Sequence, residues 1–250
     1  MKLSAVIITF NEEKNIERCL KSLQGIADEI LVIDSYSTDK TEEICRKFDV
    51  KFIQHRFEGH IEQKNYALSL ALNDYVLSLD ADEALSEELF QSINAIKSQN
   101  TPADAYSFNR LTNYCGKWIK HSGWYPDVKI RLWQKKSGCW GGTNPHDKVI
   151  MQPNTEIIHL KGDLLHYSYY SISEHLKQIE RFSTIAAEQT KKKGHKVSFI
   201  SIIIKSKWKF VRDFIFKRGF LDGKTGYQVC KLSAFATYLK YVKIREFNKK

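Results

Sequence analysis

The first hundred residues alternate short apolar runs with amphipathic segments, and this alternation constrains the fold more than any other feature. Ala5-Val6-Ile7-Ile8-Thr9 reads as a buried strand, and Ile16, Cys19, Leu20 and Leu23 follow at i, i+3, i+4 and i+7, one face of a helix. Glu29 to Asp34 is a second strand that ends on a carboxylate. Asp39, with Glu42 three residues on, opens a helix running to about Phe48. Val50 to Gln54, Ile61 to Leu72 and Tyr75 to Leu79 continue as strand, helix and strand. The order βαβαβαβ predicts right-handed crossovers and a Rossmann-like α/β domain, a mainly parallel sheet with helices on both faces. Ligands of such sheets bind outside the carboxyl ends of the strands. Those positions are Thr9 to Glu12, Asp34 to Asp39, the stretch from His55 to Asn65, and Asp80 to Glu83.

The strongest local signal is Asp80-Ala81-Asp82-Glu83. Two carboxylates two residues apart at a strand end converge on one hard divalent cation when the chain turns, the remaining ligands being waters and phosphate oxygens. The same acids also suit the first turn of a helix, where they oppose the macrodipole. Asp34 has the alternatives of hydrogen bonding a nucleoside or capping a turn, and Asn11 those of lining the rim or capping the next helix. Three acid-bearing strand ends on one rim favour a nucleotide-plus-metal site over three independent caps.

From Ala105 the pattern changes to mixed strand and loop, with Tyr114, Trp118, Trp124, Tyr125, Trp133 and Trp140 among glycines. Flat rings of this kind suit a sugar platform, and they suit a core equally well. Helical periodicity returns over Ser171–Lys193, Phe199–Phe220 and Tyr227–Phe247, with a boundary expected near residue 190. Charge divides there too. The net charge of +10 comes from 39 basic and 29 acidic residues, and residues 191–250 hold 17 basic and 3 acidic ones, leaving 22 and 26 before them. The first part is mildly acidic and the cationic surplus is C-terminal. Five scattered cysteines without a C-x-x-C pair indicate neither a disulfide framework nor a zinc knuckle. No apolar run reaches the ~18 to 20 residues of a membrane span. A cytoplasmic protein is expected.

Four motifs in order carry a resemblance: Thr9-Phe10-Asn11-Glu12-Glu13; Val32-Ile33-Asp34-Ser35-Tyr36-Ser37-Thr38-Asp39; Gln63-Lys64-Asn65-Tyr66-Ala67-Leu68; and Leu77-Ser78-Leu79-Asp80-Ala81-Asp82-Glu83. Together they resemble family 2 glycosyltransferases of the GT-A fold over most of residues 3–190. Trp124-Tyr125-Pro126-Asp127, Arg131-Leu132-Trp133, Gly141-Gly142 through His146-Asp147, and His166-Tyr167-Ser168 are similar to the lipopolysaccharide-core β-1,4-glucosyltransferase group. Lys64 stands where the family usually has Arg, and Asp147 where the group usually has Glu.

The resemblance implies a GT-A domain over 1–190, with a nucleotide-sugar half to about 104 and an acceptor half over 105–190, followed by a basic helical extension over 191–250. It implies that Thr9, Asn11, Glu12, Asp34, Lys64, Asp80 and Ala81 bind a nucleotide sugar, expected to be UDP-linked glucose. Asp80, Asp82 and, as a further ligand, His166 would hold Mg²⁺ or Mn²⁺; a histidine at a strand end is also commonly structural. Asp147 is the candidate base in an inverting displacement, with His146 competing. Trp124, Tyr125, Arg131 and His146 are expected to bind a glycan or lipid-linked acceptor.

In the basic end, Ile204, Trp208, Val211 and Ile215 share a helical stripe beside Lys205, Lys209 and Arg212, as in an interfacial anchor on anionic lipid. Peripheral attachment at the cytoplasmic face of the membrane is the expectation. A protein or peptide acceptor is the alternative within glycosyl transfer. Nucleic-acid binding by the tail is the alternative of another class, disfavoured by the lack of any helix-turn-helix, RNP or zinc pattern. Sugar nucleotidyl transfer is disfavoured by the absence of glycine after the first strand.

Overall fold

The computed structural model describes residues 1–99, 101–144, 146–191 and 197–247, and side chains throughout these except at His146 and Lys191. The alternation becomes β1 (Leu3–Thr9), α1 (Ile16–Leu23), β2 (Glu29–Asp34), α2 (Thr41–Cys45), β3 (Lys51–Gln54), α3 (His60–Leu70) and β4 (Tyr75–Asp80). Helix α2 is one turn shorter than its pattern predicts, and Asp39 starts it through Thr41, whose N–H and hydroxyl it accepts at 3.0 and 2.6 Å. Then come β5 (Glu83–Leu85), α4 (Glu87–Lys97), β6 (Ala105–Tyr114), β7 (Lys117–Ile119), β8 (Asp127–Gln134), β9 (Gly138–Thr143), β10 (His146–Met151) and β11 (Ile157–Tyr169). The chain closes on α5 (Ile172–Lys191), α6 (Phe199–Val211) and α7 (Gly223–Phe247). The last two residues of the helix predicted to Lys193 lie outside the described residues.

Two compact units divide the chain. The first comprises Met1–Arg110 and Asp127–Tyr167. Its sheet runs β3-β2-β1-β4-β8-β6-β11-β5. The first four strands are parallel, but β8 is antiparallel to β4, β6 to β8, and β5 to β11. The expectation of a mainly parallel sheet therefore holds for only half of it. After residue 105 no α-helix lies between consecutive strands among the described residues, and parallel neighbours need such a crossover. Side-chain alternation on β1 covers both faces. Leu3, Ala5 and Ile7 join Ile16, Leu20 and Leu23 of α1 and Leu89 and Ile93 of α4 in one core, while Val6, Leu31 and Ile33 join Ala67 and Leu68 of α3 in another.

The second unit comprises Leu111–Pro126 and the chain from Ser168 onward. The expected boundary near 190 follows composition, whereas the units follow packing, and α5 and residues 111–126 group with the C-terminal helices. Tyr114, Trp124, Tyr169 and His175 form an aromatic cluster here. Burial pushes the His175 imidazole down to about 4. The helix predicted over 199–220 breaks after α6 into a π-helical turn (Arg212–Phe216) and a 3₁₀ turn (Gly219–Asp222). The first turn of α7 then lies so close to that turn that a Cβ on Gly226 would meet Gly219 O at 2.0 Å, and α7 begins four residues before its predicted start.

Candidate active site

Strand register assembles the site. Thr9 lies beside Asp34 across β1 and β2, and Ile8 lies beside Asp80 across β1 and β4, so three parallel strands end on one rim. The loops beyond them are laced together. The buried Asp34 carboxylate accepts the Ser37 N–H at 2.8 Å and its hydroxyl. Asn11, at φ 54°, accepts the Thr38 N–H through Oδ1 and donates its own N–H to Ser37 Oγ, both at 2.8 Å. Asn11 thus ties two rim loops, and α1 starts after Asn15.

Beyond β4 the charges form a continuous chain. Lys64 Nζ, on α3, lies 2.9 Å from Asp80 Oδ1 and 2.8 Å from Asp147 Oδ2. Arg131, on β8, lies 3.1 Å from Asp80 and 2.9 Å from Glu83, and Arg110 reaches Glu83 at 3.5 Å and Asp127 at 2.9 Å. Asn65 exchanges two hydrogen bonds with the Trp140 backbone, at 2.9 and 3.0 Å. That clamp holds α3 against β9, whose hairpin partner β10 pairs Asp147 with Gly142. The Trp140 ring lies 4.3 Å from Lys64 Nζ and 5.1 Å from the Arg131 guanidinium carbon. Burial alone would raise the Asp80 carboxyl, but Lys64 and Arg131 overcome it and hold it well below the ordinary carboxylate range. Likewise burial opposes the Arg131 charge, and Glu83 and Asp80 more than restore it.

Asp82 sits outside this chain of pairs, its Oδ2 lying 3.1 Å from Nε2 of His166 on β11. Among the described residues no three metal-ligating side chains converge. A carboxylate and an imidazole at that spacing suit a hard-to-borderline divalent cation completed by phosphate oxygens and water. Asp80, expected as a ligand with them, is already matched by two cations. Thr9 Oγ1, Arg131 Nε and Nη1, and Trp140 Nε1 are buried without a protein hydrogen-bond partner. Such unsatisfied groups cost about 1–3 kcal/mol each.

Arg131 is 4% exposed. Its Nη2 pairs with both Asp80 and Glu83 and so holds those acids in place, while Nε and Nη1 keep no protein partner. Trp124 and Tyr125 belong to the second unit, where the Trp124 ring packs edge-on against Tyr114 at 5.9 Å. The His146 side chain lies outside the described residues. Glu83, Asn65 and Asp127 stand in the sequence motifs without an assigned role, and Arg110 in none. Glu83, part of the strand-end motif with the first turn of a helix as its alternative, lies in β5, 1% exposed; its signal was its setting between Ala81, Ala84 and Leu85, where an acid needs a buried cation.

Glu12 borders the same rim and accepts the Asn15 amide at 2.7 Å. Burial, aided by Asp82, Asp39 and Asp80 and opposed by Asn15, raises its carboxyl to about 7. The folded state favours the protonated form. That stabilisation is complete below the unfolded value of 4.5 and is lost as pH rises through about 7. Glu12→Gln is therefore expected to raise stability at pH 8, by roughly 3 kcal/mol at most, and to leave it unchanged near pH 4. Urea unfolding of the metal-free protein at both pH values measures this, and an equal effect at the two would contradict it.

A parallel α/β half whose strand ends carry paired acids, extended by antiparallel strands that add a lysine-bound carboxylate, is the framework of a GT-A glycosyltransferase. The chain belongs to glycosyl transferase family 2, whose model matches residues 4–152. An uncharacterised glycosyltransferase of Rickettsia typhi is 34% identical over 259 residues, covering 100% of this chain and 88% of the relative. The lipopolysaccharide core biosynthesis glycosyltransferase LpsC of Rhizobium meliloti is 24% identical, covering 96% and 93%. Among solved structures, the mannosyltransferase PcManGT of Pyrobaculum calidifontis, in complex with GDP-Man and Mn²⁺, superposes with a TM-score of 0.57 at 13% identity, covering 100% of this chain and 88% of that one. Staphylococcus aureus TarS in complex with UDP gives 0.50 at 17%, covering 100% and 91%. The protein is a glycosyltransferase, and no described helix is long and apolar enough to cross a membrane.

Proposed function

We propose that the protein transfers a hexose, glucose from a UDP-linked donor, to a glycan or lipid-linked acceptor such as lipopolysaccharide core, with inversion at the anomeric carbon. The observation that carries this reading is the single lysine shared by Asp80 on the donor rim and Asp147 on the β9–β10 hairpin. Thr9, Asn11, Glu12, Asp34 and Ala81 border the donor pocket in this reading. Asp82 and His166 would hold Mg²⁺ or Mn²⁺, which neutralises the departing diphosphate when bound. Asp147 accepts the proton of the acceptor hydroxyl as that oxygen attacks. Lys64 keeps Asp147 and Asp80 in a common geometry and, with Arg131, keeps Asp80 ionised. The relationship to LpsC supports the choice of acceptor, and the cytoplasmic face of the membrane is where such an acceptor would be met.

A panel of nucleotide sugars, assayed for released nucleoside diphosphate with Mn²⁺, with Mg²⁺ and with chelator, tests the reading. Release is expected from UDP-glucose with metal only, and Asp82→Ala is expected to lower it by about 10²-fold or more. No release from any donor would overturn the reaction, and equal release in chelator would overturn the role of the metal.

A further inference from the structure

Residues 197–245 contain eleven lysines and arginines and two acids, Asp213 and Asp222. Both acids face inward. They are 1% and 4% exposed. Asp213 is held by Lys209 and Arg212 at 2.6 and 2.9 Å, and Asp222 by the His121 N–H and imidazole at 2.9 and 3.0 Å. Every exposed charge on this stretch is therefore positive, and the one exposed acid on α7 is Glu246 in its last turn.

Among these cations runs an apolar stripe. Ile200, Ile204 and Trp208 recur at steps of four along α6, and Ile215 and Phe216 continue it in the π-helical turn, each more than half exposed. The Trp208 and Phe216 rings lie 5.7 Å apart. Beside the stripe, α6 and α7 enclose a groove of about 490 Å³, walled by Phe210, Val211, Tyr227 and Phe235, with Lys207 and Lys231 among its lining residues. On α7 the lining residues Tyr227, Lys231, Ala234, Phe235 and Tyr238 fall on one helical face.

We propose that this face docks on an anionic phospholipid bilayer, the α6 stripe entering the boundary between headgroups and acyl chains, and that the α6–α7 groove takes one acyl chain of a lipid whose phosphate lies near Lys207 and Lys231. This deepens the membrane-side setting proposed above by naming the surface and the lipid chemistry. A second copy of the chain is the poorer occupant, because a two-fold contact would set cations against cations. Nucleic acid is poorer too, since its phosphates would match the cations but leave Ile200, Ile204 and Ile215 without an apolar partner. A bilayer supplies both missing complements, anionic headgroups and an apolar interior.

The full chain is sedimented with vesicles of phosphatidylcholine alone and of phosphatidylcholine mixed with phosphatidylglycerol. Binding is expected to the mixed vesicles and to weaken as salt is raised. Lys207→Gln with Lys231→Gln is expected to weaken it by about fivefold per lysine, and Ile204→Glu with Trp208→Glu to abolish it, with helical circular dichroism retained. Quenching of tryptophan fluorescence by brominated lipid is expected in the wild type and to fall in Trp208→Phe. Absence of binding to mixed vesicles, or equal binding to neutral ones, overturns the proposal. So does a concentration-dependent dimer that competes with vesicles, or salt-sensitive nucleic-acid binding tighter than vesicle binding. Nucleoside diphosphate release in the same preparations needs no bilayer, and so separates failure of docking from failure of the transferase reading.

Discussion

Asp147→Asn is expected to lower sugar transfer by about 10³-fold while nucleoside diphosphate binding stays near the wild-type value. The replacement keeps the size of the side chain and an oxygen that still accepts from Lys64 Nζ, now 2.8 Å from Asp147 Oδ2. It removes the capacity to take a proton together with one of the two carboxylate charges facing Lys64, which keeps Asp80 at 2.9 Å. General-base catalysis contributes roughly 10²–10⁴-fold, and a thousandfold loss corresponds to about 4 kcal/mol of barrier. Initial rates with saturating donor, set beside calorimetric titration with the nucleoside diphosphate, separate chemistry from binding. Full turnover in the variant would remove Asp147 from the reaction. Equal losses in rate and affinity would make it part of the donor pocket instead.

Arg131→Met is expected to destabilise the fold by about 3–5 kcal/mol, the range for a buried ion pair that loses one partner. The loss falls on Glu83, 1% exposed, which would keep the Asp80 N–H at 3.0 Å and, as its one cation, Arg110 at 3.5 Å. Asp80 would keep Lys64 alone. Adding Glu83→Gln to Arg131→Met removes the stranded charge and is expected to recover part of the loss, a coupling that a double-mutant cycle in urea measures. The acid limb of the stability profile moves as well. Because the folded Asp80 carboxyl titrates below its unfolded value of 3.8, its contribution is present above that value and is lost as pH falls below it. Without Arg131 the carboxyl rises, so acid unfolding is expected at higher pH. A loss below about 1 kcal/mol, the level of exposed pairs, would mean that solvent reaches the cluster.

The parallel half of the domain was legible because its information is local. Ile16, Cys19, Leu20 and Leu23 announce a helix by spacing and are all fully buried. Asp34 and Asp80 announce strand ends by closing apolar runs, and β2 and β4 end on them. The antiparallel half was not legible. Its strands lie between aromatics and glycines that suit a core and a sugar platform equally, and their partners are remote in sequence. Trp133 is fully buried and Trp140 is 5% exposed, the latter beside two cations. The change of charge near 190 marks a change of surface, whereas packing divides the chain after Arg110, Pro126 and Tyr167.

What the sequence determined by itself is therefore a class: an α/β sheet with acids at its strand ends, a family resemblance over those ends, and a cationic C-terminal region. These follow from periodicities of two and 3.6 residues and from side-chain chemistry read in order. Only the tertiary structure decided which charges face which. Lys64 and Asp147 are 83 residues apart and lie 2.8 Å apart, and Arg131 reaches acids 51 and 48 residues away. Such pairings depend on register and on the clamp between Asn65 and Trp140, and no local pattern encodes them. In the same way the stripe on α6 was visible as spacing, but its exposure beside inward-turned acids depends on how the surrounding helices pack.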